Sequence, residues 1–120
     1  MMPDEEGHPG VEEMQLGVIL TALADPLRRY VVTELIAAPE DSERTCASFG
    51  LGVAKSTLTH HFRVLRESGL VWHTNYGNSR KVRLRRQDLE TRFPGLLALL
   101  LRDTPTDSPK NTQAPAAPGV

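Results

Sequence analysis

The residues that decide the fold are 54–86, which read AKSTLTHHFRVLRESGLVWHTNYGNSRKVRLRR. Apolar residues recur at every third or fourth position from Leu58 to Leu65, which predicts an amphipathic helix over Lys55–Ser68. Gly69 follows at the position where a helix commonly ends in a left-handed cap. Residues 70–86 alternate between apolar and polar side chains around a turn rich in glycine and asparagine, which predicts a β-hairpin.

This stretch concentrates positive charge. It holds eight basic residues and one acid, Glu67, and therefore carries +7, whereas the whole chain carries −1. A near-neutral protein with one strongly basic segment presents a directed electrostatic surface that suits nucleic acid. A polar-faced helix followed by a basic hairpin therefore predicts a helix in a DNA groove with the hairpin beside it on the phosphates. The eight basic residues are Lys55, Arg63, Arg66, Arg80, Lys81, Arg83, Arg85 and Arg86.

The surroundings of the helix give a helix-turn-helix pattern. A short helical segment over 45–49 and a turn containing Gly52 precede the predicted helix. Side chains in the first turns of such a helix reach base edges in the major groove, and basic hairpin residues contact phosphate or the minor groove. The predicted DNA contacts are Lys55, Ser56, Thr57, Thr59, His60 and Arg63 from the helix, and Arg80, Lys81, Arg83 and Arg85 from the hairpin.

Two segments carry a resemblance to a known family. KSTLTHHFRVLRESGLV, preceded by LGVA, resembles the recognition helix and wing of the ArsR/SmtB family of bacterial winged-helix transcription regulators, and LADPLRRYVVTELI at 23–36 resembles its second helix. The similarity covers roughly residues 16–102. It implies a mainly α fold with a small β-hairpin, which is a winged helix-turn-helix in the order ααααββα. It also implies a dimer that binds a palindromic operator. The chain departs from the family at Ala54, where a small hydroxyl residue usually caps the recognition helix.

The chain divides into three predicted parts. Residues 1–13, with five acids, two prolines and two glycines, predict a flexible acidic arm. Residues 14–102 form the predicted DNA-binding and dimerisation domain, and residues 103–120, with four prolines, predict a disordered tail. We expect a first helix over 13–24 and a second that starts with Asp25 as N-cap and ends near residue 37, followed by a loop over 39–44.

The first and last helices are unusually apolar. Five leucines fall within 96–101, more than one face of a monomer's surface helix would carry. Core packing and a dimer interface both explain such a cluster, and the excess of leucines favours the dimer. In the resembled family these two helices pair with those of a second subunit. The predicted interface is Leu16, Ile19, Leu20, Leu23, Leu96, Leu97 and Leu100.

Metal sensing is an open alternative, because the resembled family includes metal-responsive members. Their usual ligands are cysteines near the third helix or acid and histidine pairs in the last helix. This chain has one cysteine, Cys46, and no histidine in its last helix, so neither set carries over. A histidine site for nickel or zinc remains open, since imidazole suits both metals. Its candidates are His8, His60, His61 and His73, although His60 is better placed for DNA and His61 for packing.

Other function classes find little support. The single cysteine excludes an intramolecular disulfide and fits a cytoplasmic protein. The sequence shows no secretion signal and no apolar run near the roughly 20 residues that a membrane span needs. We expect no enzyme, because no phosphate loop or patterned catalytic group occurs. The sequence thus predicts a cytoplasmic, homodimeric regulator of double-stranded DNA. A nickel- or zinc-responsive regulator and a docking module that needs a partner protein remain alternatives, and an effector ion or small molecule is compatible with each.

Overall fold

The structure, a computed structural model, describes residues 7–40 and 42–103 of the 120-residue chain. Over these residues five α-helices pack around one small sheet. The helices are α1 Leu16–Ala24, α2 Pro26–Ala37, α3 Lys55–Ser68, α4 Arg86–Arg92 and α5 Leu96–Asp103. The strands are β1 Glu43–Thr45, β2 Val71–Asn75 and β3 Arg80–Leu84, and two short 3-10 turns cover Val11–Glu13 and Cys46–Phe49. None of the described helices is long and apolar enough to cross a bilayer.

The start of α2 is fixed by the residue that the sequence predicts as its N-cap. Asp25 Oδ1 accepts hydrogen bonds from the N–H groups of Leu27 at 2.8 Å and Arg28 at 3.2 Å. The arginines that follow then secure the preceding helix, because Arg28 donates to the carbonyl of Ala22 and Arg29 to that of Leu23, both at 2.8 Å. Basic side chains that bond the last carbonyls of a helix satisfy groups that have no partner within it. The predicted bounds of α2 are confirmed.

The predicted helix over Lys55–Ser68 is confirmed at both ends. Its apolar face is buried through Phe62 and Leu65, which are 1% and 0% exposed. Gly69 ends α3 with φ +98°, and the next residue, Leu70, donates to the Leu65 carbonyl at 3.2 Å. Met14 fills the space beside Gly69, because a Cβ there would lie 2.8 Å from Met14 Cγ and Cε.

The sheet has one strand more than the predicted hairpin. β1 pairs antiparallel with β3, with Glu43 opposite Arg83 and Thr45 opposite Lys81, which gives the order β1-β3-β2. The predicted loop over 39–44 is therefore wrong at its end. A three-residue strand has too few positions to show an alternating pattern, and this one forms only because β3 offers a free edge.

The prediction of a flexible arm is wrong for residues 7–13. His8 is buried at 2% exposure, and the 3-10 turn at Val11–Glu13 precedes α1, which begins at Leu16 rather than at residue 13. The Glu13 carboxylate accepts from the Gly10 N–H at 2.8 Å and closes that turn. Residues 1–6 of the predicted arm and 104–120 of the predicted tail lie outside the described residues, while Asp103 ends α5.

Three predicted dimer residues belong to the core of a single chain. Ile19, Leu23 and Leu97 are 0%, 4% and 3% exposed, because α1 packs against α2 and α3, and α5 packs against α2 and α4. Leu96 and Leu100 are partly buried against the same core. The predicted residues Leu16 and Leu20 do lie on the surface. With Val18, Leu99 and Leu101 they are the large apolar side chains of α1 and α5 that are about half exposed.

The cap at Gly69 yields a stability prediction. Gly69→Ala places a β-carbon in a left-handed backbone conformation and against the buried Met14 side chain. We expect the free energy of unfolding to fall by about 1–3 kcal/mol, the usual range for such backbone strain. Urea denaturation followed by circular dichroism measures this loss.

Gly17→Ala is the matched control. Gly17 lies within α1, and a Cβ there meets nothing within 4 Å. Alanine inside a helix is favoured over glycine by roughly 0.5–1 kcal/mol, so this variant should be more stable than wild type. A similar loss of stability in both variants would contradict the role assigned to Gly69.

The cap at Asp25 yields a pH prediction. Burial alone would raise the pKa of Asp25, but hydrogen bonds from the N–H groups of Arg28 and Leu27 outweigh burial and lower it below its ordinary 3.8. A carboxylate with a lowered pKa stabilises the fold above its unfolded pKa and loses that contribution as the pH falls through the folded value. Asp25→Ala should therefore cost about 1 kcal/mol at pH 7, and this cost should shrink in urea titrations below pH 3.8. Asp25→Asn, which keeps the acceptor without the charge, should show a weaker dependence on pH.

Candidate nucleic-acid interface

The first turns of α3 face the β2–β3 hairpin, which we call the wing (residues 71–84), across a cleft of about 570 Å³. Lys55 and Thr59 of α3 line one wall, and residues 78–80 at the tip of the wing line the other. Leu58, Phe62, Cys46 and His73 also line the cleft. The α3 helix and the wing therefore present one continuous surface.

Every predicted DNA contact on α3 is exposed. Ser56, Thr57, His60 and Arg63 lie away from Phe62 around the helix, whereas Lys55 and Thr59 lie on the side that faces the cleft. Ala54 gives α3 no side-chain cap, and the residues of its first turn face solvent. The exposed set is Lys55, Ser56, Thr57, Thr59, His60 and Arg63.

The predicted contacts on the wing differ in accessibility. Arg80 is exposed, whereas Lys81 and Arg83 are half-buried. The Lys81 ammonium lies 5.5 Å from the centre of the Tyr76 ring. The Tyr76 hydroxyl donates to both carboxylate oxygens of Glu43 in β1, at 2.9 and 2.7 Å. This bond raises the pKa of Tyr76 and ties the tip of the wing to β1, which sequence reasoning missed because it had not found β1.

Arg85 does not reach this surface, which corrects its predicted role. Its side chain is buried, with Nη2 2.9 Å from Asp88 Oδ2 and the guanidinium carbon 3.9 Å from the centre of the Trp72 ring. Its Nη1 donates to the carbonyl of Pro9 at 2.7 Å. The reason is local: β3 ends at Leu84, and Arg85 has φ −84° and ψ 59°, so it no longer follows the strand alternation.

Two further arginines of the basic stretch make contacts within the protein. Arg86 Nη2 donates to carbonyls at the end of α2, where Leu35, Ile36 and Ala38 lie at 3.3, 3.2 and 3.4 Å. Arg66 lies 3.5 Å from the carboxylate of Glu67. The +7 read from the sequence therefore overstates the charge that the interface presents to a ligand.

The cleft is neutral at its base. Burial raises the pKa of the Cys46 thiol to about 11, although Arg80 acts in the opposite direction. Burial, together with the nearby charges of Arg66 and Arg80, lowers the pKa of His73 to about 4. The Cys46 sulfur lies 3.7 Å from His73 Nε2. Near neutral pH both side chains are uncharged, so the charge in the cleft comes from Lys55 and Arg80.

The histidines proposed as metal ligands do not form one site. His60 is exposed, while His61 is buried and its Nδ1 accepts from Arg28 at 3.2 Å, beside a fixed positive charge. Burial lowers the pKa of His61. His8 uses Nε2 to accept from the His73 backbone N–H at 2.9 Å. Within residues 7–40 and 42–103, no three His, Cys, Asp or Glu side chains converge where they could hold a metal ion.

Comparison with known proteins agrees with this geometry. Residues 25–72 match the family described as bacterial regulatory protein, arsR family, which spans α2, the helix-turn-helix and the start of the wing. An HTH-type transcriptional regulator of Bacillus subtilis strain 168, YceK, is 31% identical over 84 residues, which cover 68% of this chain and 82% of that protein.

Two solved structures are also similar. A possible transcriptional regulator for arsenical resistance is 29% identical, with a TM-score of 0.51 over 72% of this chain and 95% of that chain. The transcriptional repressor BigR from Xylella fastidiosa is 25% identical, with a TM-score of 0.49 over 65% of this chain and 85% of that chain. The match of residues 25–72 and the 31% identity to the Bacillus subtilis regulator show that the chain belongs to the ArsR family of bacterial transcriptional regulators.

Proposed function

We propose that this regulator binds DNA sequence-specifically as a homodimer on a palindromic operator, with α3 in the major groove and the wing on the backbone. One observation carries the proposal: Lys55 and Thr59 in the exposed first turns of α3 and Arg80 at the basic tip of the wing line the two walls of one cleft. A groove-reading helix and a phosphate-binding wing need that arrangement, since base contacts specify a sequence and phosphate contacts position the protein.

The chemistry of α3 supports base reading. Its exposed hydroxyl groups can donate to or accept from base edges, and a lysine or arginine can donate to guanine O6 and N7. The helix has 14 residues and is therefore about 21 Å long. A major groove is roughly 12 Å wide and admits an α-helix. The hydroxyl residues are Ser56, Thr57 and Thr59, and the basic ones are Lys55 and Arg63.

The cleft supports a phosphate contact. Lys55 and Arg80 approach it from opposite walls, and the N–H groups in the first turn of α3 have no cap from Ala54. Helix N-termini attract anions because these N–H groups point outward and carry partial positive charge. A phosphate between α3 and the wing would pair with the charges of Lys55 and Arg80 and would accept hydrogen bonds from the uncapped N–H groups of α3.

The surface of α1 and α5 supports a dimer. Leu16 and Leu99 line the same depression of about 630 Å³, together with Phe93 and Leu96, and Leu20 lies one turn along α1 from Leu16. Half-exposed leucines gathered at one site are typical of an interface. A two-fold dimer would present two α3 helices to half-sites about one helical turn, or a multiple of it, apart.

The test begins with selection of duplexes from a random-sequence pool by the wild-type protein, at about 0.15 M salt to screen weak phosphate contacts. We expect a palindromic sequence to be enriched and to bind at least about 10³-fold more tightly than its scrambled version. Equal, weak binding of both duplexes would reject sequence-specific recognition.

Two variants then separate the roles of α3 and the wing. Arg80→Ala should weaken binding to the selected and the scrambled duplex alike and lower the salt slope by about 0.9. Thr59→Ala should weaken binding to the selected duplex alone. Thr91→Ala, at an exposed position on α4, is the matched control and should change neither affinity.

The dimer has its own test on α1. Leu20→Asp puts a charge on the proposed interface and should shift the protein to monomer in sedimentation velocity, with loss of palindrome binding. Val18→Asp is the control, because Val18 is as exposed, at 47% against 51%, but lies two residues away and so about 200° around the helix. Equal dissociation in both variants, or in neither, would contradict an interface on the Leu16 and Leu20 side.

A further inference from the structure

We propose that His8 is a positioning residue for the wing. Its side chain clamps the edge strand β2 and so holds the wing at its angle to α3. The inference goes beyond the contacts that touch DNA, since His8 is buried at 2% exposure and acts through β2. It rests on the proposed function in one respect, because the wing is taken to contact the DNA backbone.

The clamp is a hydrogen bond between residues 65 positions apart. β2 is an edge strand of the β1-β3-β2 sheet, so the backbone groups on its outer side have no neighbouring strand. The His73 N–H donates to His8 Nε2 at 2.9 Å, in a buried environment. A buried N–H without an acceptor is costly, so His8 supplies what a fourth strand would otherwise supply.

Ring packing holds His8 in place. Its imidazole lies 5.1 Å from the Trp72 ring, centre to centre, at an interplanar angle of 52°. The next residue, Pro9, accepts a hydrogen bond from Arg85 at 2.7 Å, and the same guanidinium stacks on Trp72 at 3.9 Å. The backbone beside His8 is therefore fixed to the base of the wing.

The same segment is also attached to α3 and α4. The carbonyl of Met14 accepts from Arg92 of α4 at 2.9 and 3.1 Å. The Met14 side chain packs against Gly69 at the end of α3. At the other end, a Cβ on Gly7 would lie 3.5 Å from Nε of Arg66 in the last turn of α3. Residues 7–14 thus join α3 to the wing through contacts that the β-hairpin alone does not provide.

The position of the clamp explains its effect on DNA binding. His73 lies two residues before the end of β2, and the tip of the wing, residues 76–80, follows directly. Loss of the bond leaves the outer edge of β2 without this attachment, close to the tip of the wing. β2 would then keep its pairing with β3 but lose a bond to the N-terminal segment, and the tip would sample orientations that miss the phosphate.

The hydrogen bond fixes the tautomer of His8. Only an unprotonated ring nitrogen accepts, so Nε2 carries the lone pair and the neutral ring carries its proton on Nδ1. Long-range ¹⁵N–¹H correlation spectra of labelled protein in mildly alkaline buffer should show this tautomer. Finding the proton on Nε2 would overturn the clamp.

The variants test whether the clamp positions the wing. His8→Ala should speed amide exchange at His73, change the emission of Trp72, the only tryptophan of the chain, and weaken binding to the selected duplex. We expect a loss of roughly two- to tenfold in affinity, which is the usual net value of one hydrogen bond. His8→Gln, whose amide oxygen can accept the same bond, should restore part of the affinity.

A core variant controls for general loss of stability. Ile36→Val in α2 removes one buried methyl group, leaves the bond between His8 and His73 in place and typically costs about as much as one hydrogen bond. It should lower the urea midpoint as His8→Ala does, yet leave the His73 exchange rate and the DNA affinity unchanged. A loss of affinity in Ile36→Val equal to that in His8→Ala would reduce His8 to a stabilising residue and overturn the proposal.

The remaining outcomes separate this proposal from the proposed function. Unchanged His73 exchange in His8→Ala overturns the clamp, and faster exchange with unchanged affinity overturns the positioning role. If the wild-type protein binds no duplex, the proposed function fails, while His73 exchange and Trp72 emission in the free protein still decide whether His8 clamps β2.

Discussion

The buried guanidinium of Arg85 joins three parts of the chain that are distant in sequence. It bonds to the N-terminal segment through Pro9, stacks on Trp72 of β2 and pairs with Asp88 in α4. An arginine cannot lose its charge to escape burial, so it must be fully paired wherever it is enclosed. This requirement fixes the distance between the N-terminal segment, the base of the wing and α4. The orientation of the wing relative to α3 depends on it, as does the place of His8 against Trp72.

The basic residues at 80–86 therefore have two roles. Some provide surface charge, and others form bonds inside the protein. Up to Leu84 this stretch forms β3, whose basic side chains are exposed or half-buried, and Arg80 of this strand lines the cleft. Beyond Leu84 the backbone turns, and the next two arginines bond inward to Pro9 and to the carbonyls that end α2. Arginine suits both tasks, since its planar set of donors can grip a phosphate or several backbone carbonyls. The fold thus gives up part of its surface charge to hold the wing in place.

How far the sequence predicted this structure depended on whether the determining contacts were local. The bounds of α3 were predicted at both ends, because a helical apolar period and Gly69 are local signals, and Asp25 with Pro26 did the same for the start of α2. β1 was missed because its pairing with β3 is not written in its own three residues. The segment around His8 was predicted to be a flexible arm because the partner of His8 lies 65 residues away. In the candidate site, exposure was predicted correctly for α3, whereas Arg85 was misassigned because alternation was extended past the end of β3.

The same distinction applies to the chemistry of the cleft. The structure brings a cysteine and a histidine together among basic residues, 3.7 Å apart. Burial keeps the pair unreactive, because it holds the pKa of Cys46 at about 11 and that of His73 at about 4. Between those values neither group ionises, and the walls keep a constant positive charge from Lys55 and Arg80. A charge next to a low-dielectric base acts on a phosphate more strongly than the same charge in open water. The neutrality of Cys46 and His73 therefore strengthens the interface, and it depends first on burial beside Phe62 and within β2, with the charges of Arg66 and Arg80 adding to the lowered pKa of His73.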